Sequence, residues 1–163
     1  MNSLLFNASL LKNIGRQLLK KEQTISVAES VTSGLLQFAF STIEEAEKMY
    51  HGGLTAYNIA QKFKHLNVEP IHALACNCVS QPIAEQMALH VATHFHSHWG
   101  IGITGYATPV PESGNKVYAF YAICLDGKIR AKGKITPHKT TPPEPQVAYV
   151  NKVLEKLSKL ISS

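Results

Sequence analysis

Three side chains in this sequence are of the types that acyl-transfer chemistry uses: Ser30, Tyr57 and Lys62. A serine hydroxyl becomes a nucleophile once a base takes its proton, and a lysine held neutral can be that base. A phenol can orient such a pair or relay its proton. Ser30 lies in T-I-S-V-A-E-S-V-T-S-G, Thr24–Gly34, and the other two in G-G-L-T-A-Y-N-I-A-Q-K, Gly52–Lys62. The first stretch begins as a β-rich run with Thr24, Ile25 and Val27. It then breaks into small polar residues ahead of the apolar run Leu35, Leu36, Phe38, Ala39. Where a strand empties into a helix start, unpaired backbone N–H groups face whatever sits above the strand end. Two plainer readings stand beside this one. Ser30 or Thr32 would serve as the N-cap of the helix, and Lys62 would be a solvated surface lysine. The chemical reading requires both strand ends to meet at one edge of a sheet.

The rest of the chain supplies elements for such a sheet. Residues 3–20 read as an amphipathic helix, with Leu4, Ala8, Leu11, Ile14 and Leu18 at helical spacing. A strand from Thr24 and a helix to about Ser41 follow. Glu44–Lys48 reads as a charged turn or short helix. Met49–Tyr57 reads as a strand whose Gly52-Gly53 pair signals a bulge or a close backbone approach. Asn58–Leu66 reads as a short helix, and Glu69–Cys78 is ambiguous, with a helical turn one option. Ser80 and Pro82 mark a helix start, and Ile83, Met87, Val91 and Phe95 carry the helix on. Gly100–Thr104 reads as a buried strand and Gly105–Asn115 as a loop. Val117–Leu125 and Ile129–Ile135 form a hairpin about Asp126-Gly127. After a Pro/Thr-rich connection, Pro145–Ile161 reads as the last helix. The pattern predicts one α/β domain over 1–163, a three-layer α/β/α arrangement with a mixed central sheet.

Composition narrows the chemistry. The 163 residues suit one domain with a sizeable core. No apolar run approaches the roughly 20 residues of a membrane span. The N-terminus lacks the basic segment of a signal peptide. Three cysteines make no disulfide framework, so a reducing, cytoplasmic compartment is expected. Asp126 is the only aspartate, which leaves a Ser-His-Asp triad and carboxylate metal sites short of members. His90, His94, His96 and His98 cluster without a nearby carboxylate and read as solvated or partly buried histidines. Lys128, Arg130, Lys132 and Lys134 alternate with Ile129, Ala131, Gly133 and Ile135. That is a basic edge resisting aggregation. It lacks the interleaved aromatics of a nucleic-acid surface, so nucleic acid is not the expected partner despite a net charge of +5.

Taken together, A-E-S-V-T-S-G at Ala28–Gly34, G-G-L-T-A-Y-N-I-A-Q-K, Val79-Ser80 and G-I-G-I-T-G at Gly100–Gly105 resemble the C-terminal domain of the competence/damage-inducible protein family CinA. The resemblance spans nearly the whole chain, without the larger N-terminal domain of full-length members, and so suggests a standalone form. Standalone members include the nicotinamide mononucleotide deamidases. Val31 stands where the family usually has Cys, and Ser33 where it has Gly. The family's I-A-G-P appears as Tyr106–Pro109, the following glycine-rich loop is shortened to Val110–Asn115, and Pro142–Tyr149 carries no arginine.

The resemblance implies an amidohydrolase acting on a small nucleotide, with Ser30 as nucleophile, Lys62 as base and Tyr57 as orienting group. It assigns Glu29, Thr32, Ser33, Gly34, Asn58, Thr104 and Gly105 to substrate binding. Amides around Thr32–Gly34 would hold an oxyanion or a phosphate. No metal or redox cofactor is required, no membrane is involved, and a homo-oligomer is implied. The alternative is a non-catalytic relative that binds a nucleotide-like ligand or a protein partner.

Overall fold

The computed structural model describes residues 5–163. Its centre is a five-stranded sheet built from β1 (Ile25–Glu29), β2 (Tyr50–Thr55), β3 (Trp99–Gly105), β4 (Ala119–Leu125) and β5 (Lys128–Ile135). The order across the sheet is β2-β1-β3-β4-β5. The first three strands are parallel, and β4 and β5 join antiparallel. Parallel neighbours need crossovers, and the helices supply them. The helices are α1 (Ala8–Lys20), α2 (Leu35–Ser41), α3 (Ile59–Leu66), α4 (Pro70–Ala75), α5 (Gln81–His94) and α6 (Glu144–Ser162). The mixed three-layer architecture expected from the sequence is the one observed.

Strand alternation sorts the two faces. Ile25, Val27, Ile101, Ile103, Tyr121 and Ile123 belong to one core with buried residues of α1, α2 and α6. Ala28 packs on the other face with Ile83, Met87 and Val91 of α5 and Leu66 of α3. Small residues let α5 lie close. A Cβ on Gly100 would come within 2.2 Å of the Ala88 carbonyl oxygen, and one on Gly102 within 2.2 Å of that of Ala84. Ala84, Ala88 and Ala92 continue this contact onto Ala122 and Cys124 of β4.

Several local expectations need correction. Helix α1 starts at Ala8, because the Asn7 side chain accepts from Ser9 and Leu10 amides and ends the extended chain there. The part of the proposed helix over residues 3 and 4 lies outside the described residues. Pro70–Ala75 is helical, with the Glu69 carboxyl accepting from Ile71 and His72 amides. Neither Ser30 nor Thr32 caps α2. Its N-cap is Gly34, at φ 96°, which makes no side-chain capping bond. Ser33 precedes it in the left-handed region at φ 49°. Two left-handed residues turn the chain sharply enough that a side chain from β1 takes over the capping role.

The Gly52-Gly53 signal resolves into both expected features. Ile25 pairs with Tyr50 but Ser26 pairs with Gly52, so His51 is an extra residue bulged out of the ladder. Gly52 sits at φ 129°, and a Cβ on Gly53 would come within 2.7 Å of the Val27 carbonyl oxygen. On the outer strand, Lys132 pairs with Glu85 of α5 at 2.9 Å. Lys134 lies 3.9 Å from the ring centre of Tyr118. The aromatic partner missing from β5 itself thus comes from the segment leading into β4. Of the clustered histidines, His90 and His94 lie on α5. The His98 ring nitrogen Nδ1 accepts from the Thr24 amide at 3.0 Å. No helix among the described residues is long and apolar enough to cross a membrane.

Candidate active site

The carboxyl ends of β1 and β3 and the loop after β2 meet at one edge of the sheet. Glu29 and Ser30 are consecutive, so alternation sends their side chains to opposite faces. Glu29 faces α2. Its Oε2 accepts from Thr32 Oγ1 at 2.5 Å, from the Gly34 amide at 3.2 Å and from the Leu36 amide at 2.9 Å. Its Oε1 accepts from the Gln37 amide at 2.8 Å. A carboxyl group on the N-terminus of α2 satisfies donors that would otherwise be orphaned. Glu29 and Thr32 are both fully buried.

Ser30 faces α3. Lys62, on the second turn of that helix, donates through Nζ to Ser30 Oγ at 2.9 Å and to the Tyr57 carbonyl at 3.3 Å. Asn58 sets this geometry by capping α3, its Oδ1 accepting from the Gln61 amide at 3.0 Å. Lys62 is 1 % exposed, and no carboxylate among the described residues pairs with it. Burial pushes its amine below the ordinary lysine value, with Cys78 pulling the other way. A neutral amine in this position can donate to the Tyr57 carbonyl and accept the Ser30 proton. Cys78 is held as a thiol, its pKa raised chiefly by burial.

A cavity of about 530 Å³ opens beside the pair. Of the site residues expected from the sequence, Ser30, Tyr57, Asn58, Lys62, Thr104 and Gly105 line it. Glu29, Thr32, Ser33 and Gly34 do not line it; they form the turn behind it. Tyr57 contributes its carbonyl to Lys62, while its side chain is 71 % exposed and makes no hydrogen bond to the pair. The Thr104 hydroxyl donates to the Cys78 carbonyl at 2.7 Å and ties β3 to the segment before α5. Backbone amides split in the same way. The Ser33 amide donates to the Ser30 carbonyl, and the Leu35 amide to the Thr32 carbonyl. The amides of Val31 and Thr32, directly after Ser30, make no hydrogen bond with any described residue.

Three further residues shape the cavity without belonging to any motif read from the sequence. Asn77, left-handed at φ 50°, donates through Nδ2 to the Tyr106 hydroxyl at 3.2 Å across the cavity rim. The Tyr149 hydroxyl donates to the Tyr106 carbonyl at 2.8 Å, docking α6 against the wall. Gln146 of α6 lines the cavity, and its buried Oε1 has no hydrogen-bond partner. The resemblance points only to the stretch Pro142–Tyr149 as a whole, which contains Gln146 and Tyr149.

The chain belongs to the CinA C-terminal domain family, whose model matches residues 7–161. A CinA-like protein of Prochlorococcus marinus strain NATL1A is 34% identical over 121 residues, covering 74% of this chain and 28% of the relative. The CinA-like protein of Prochlorococcus marinus strain SARG is 41% identical over 109 residues, covering 66% of this chain and 26% of the relative. The chain therefore matches little more than a quarter of the length of these curated relatives. Among solved structures, a competence or damage-inducible protein from Enterobacter asburiae superposes with a TM-score of 0.89 at 22% identity, covering 98% of this chain and 99% of that one. A CinA superfamily protein from Enterobacter cloacae gives 0.89 at 23% identity, covering 99% and 95%. These likenesses establish the fold.

Proposed function

We propose that this protein is an amidohydrolase that converts the carboxamide of a nicotinamide nucleoside or nucleotide to the carboxylate and ammonia. The observation that carries the reading is the 2.9 Å contact between Ser30 Oγ and a buried, carboxylate-free Lys62. Burial favours the neutral amine, and a neutral amine is what a general base must be. Family membership supports the same reading through the motifs around Ser30 and Lys62.

The steps use this chain's own groups. Ser30 Oγ attacks the amide carbon while its proton passes to Lys62 Nζ. The oxyanion forms beside the Val31 and Thr32 amides, which have no competing partner. Collapse breaks the C–N bond, and Lys62 gives its proton to the departing nitrogen, releasing ammonia. A water then attacks the Ser30 ester, Lys62 takes its proton, and the acid leaves as Ser30 recovers the proton. The Tyr57 carbonyl holds the Lys62 amine in line through both halves.

Ammonia release from nicotinamide mononucleotide and from nicotinamide riboside, measured on wild type, Ser30→Ala and Lys62→Ala, tests the reading. Turnover that vanishes in both variants is the expected result. Wild-type protein that binds these ligands and releases no ammonia leaves the non-catalytic binding alternative standing.

A further inference from the structure

We propose that the cavity takes a carboxamide without a phosphate, of nucleoside size, whose end distant from Ser30 donates a hydrogen bond to Gln146. This inference rests on the amidase reading for the position of the carboxamide. Charge is the first support. Among the described residues lining the cavity, Lys62 is the one lysine or arginine, and it is committed to Ser30. When Lys62 is the neutral base, no described residue of the cavity wall offers a positive charge to an anion. Phosphate recognition draws on guanidinium forks, ammonium groups or free helix N-termini.

The helix starts beside the site already carry acceptors from the protein itself. The Glu29 carboxyl accepts from the Gly34, Leu36 and Gln37 amides at the start of α2. That anion position is thus occupied by the protein's own acid. The start of α3 is capped by Asn58, and that of α5 by the Ser80 hydroxyl, which accepts from the Ile83 amide. Glu144 in the first turn of α6 places an acid there too, paired with Lys139.

The neutral groups point to what the wall does recognise. Asn77 and Thr108 offer amide and hydroxyl groups, and Ile59, Leu74 and Pro142 offer apolar surface. Gln146 adds an acceptor, Oε1, that is shielded from solvent and unpartnered. Buried acceptors are almost always satisfied, so a ligand O–H or N–H is the group this one lacks. A volume of about 530 Å³ exceeds what a lone carboxamide ring fills and leaves room for an attached sugar.

Nicotinamide mononucleotide and nicotinamide riboside differ only in the phosphate, so they isolate the point. Calorimetric titration of the Ser30→Ala protein reads recognition without turnover. The riboside should bind at least as tightly as the mononucleotide. Gln146→Leu should weaken riboside binding about five-fold. Gln146→Arg should shift preference toward the mononucleotide by about ten-fold. A mononucleotide that binds ten-fold more tightly than the riboside overturns the proposal. So does failure of both to bind, or a riboside affinity unmoved in Gln146→Leu. Ammonia release by wild type is scored separately. Riboside binding that depends on Gln146, with no ammonia formed, upholds the ligand class and removes the amidase.

Discussion

Glu29 and Ser30 are neighbours in the chain and opposites in the molecule. Glu29 is fully buried and accepts four hydrogen bonds, three from backbone amides and one from Thr32. Nothing is left over for a ligand. Ser30 is also buried, yet it touches one titratable group whose proton affinity is displaced, and it borders open space. Polarity and burial alone do not distinguish the two. Satisfaction does: a saturated cluster holds the fold, and an unsaturated one with a shifted pKa is available for chemistry.

The largest effect that could break this contrast lies at Ser30. Ser30→Ala should lower kcat by about 10³-fold or more, with Tm nearly unchanged, because Ser30 caps no helix. Lys62→Ala should cost a similar factor, and the double variant little more, since the two groups act as one unit. A clear fall in Tm with Ser30→Ala and intact turnover would invert the assignment. Glu29→Ala should do the opposite, costing about 3 kcal/mol in denaturant unfolding by leaving buried amides at the start of α2 unpaired. If Glu29→Ala kept its stability and lost only activity, the carboxyl would belong to the chemistry.

Lysine burial sharpens the comparison through pH. The folded-state pKa of Lys62 is lowered, so the unfolded chain binds its proton more tightly. The destabilisation is greatest below the folded value and fades as pH rises to the unfolded value of about 10.4. Lys62→Met should therefore raise Tm at neutral pH and show little gain at high pH. Turnover should fall in acid as the amine protonates, with a midpoint below the ordinary lysine value. A rate that stays level across that range would remove Lys62 as the base. The smallest expected effect concerns the helix packed on the neighbouring strand. Gly102→Ala should cost about 1–3 kcal/mol by pushing α5 off β3, without altering the pH profile.

How far the sequence led follows from the range of each interaction. The parallel strands and their crossovers were legible because strand alternation and helical spacing are local. The pairing of Ser30 with Lys62 was legible only as a requirement that two strand ends meet, helped by the CinA resemblance. The N-cap of α2 was misread because hydroxyls just before a helix are ordinary caps. Glu29 displaced them by reaching across a left-handed turn at Ser33 and Gly34, a geometry with no fixed spacing. Tyr57 was read for its phenol, whereas its carbonyl meets Lys62, and every residue has a carbonyl. Gln146 could not be found, because its place in the cavity depends on how α6 docks through Tyr149 onto Tyr106.

The extra residue at His51 sets a rule of parity for this part of the chain. Strands count in twos, and the bulge absorbs one count: Tyr50 and Gly52 are two residues apart yet face opposite sides of the sheet. Deleting His51 would restore plain alternation and leave Gly52–Thr55 in register with Ser26–Glu29. Deleting a residue between Gly52 and Lys62 would instead shift the lysine relative to the strand end that carries Ser30. A change in length just ahead of Gly52 is thus less damaging than one between Gly52 and Lys62. In comparing chains of this kind, the spacing between the bulge and the lysine carries information that a residue-by-residue identity score discards.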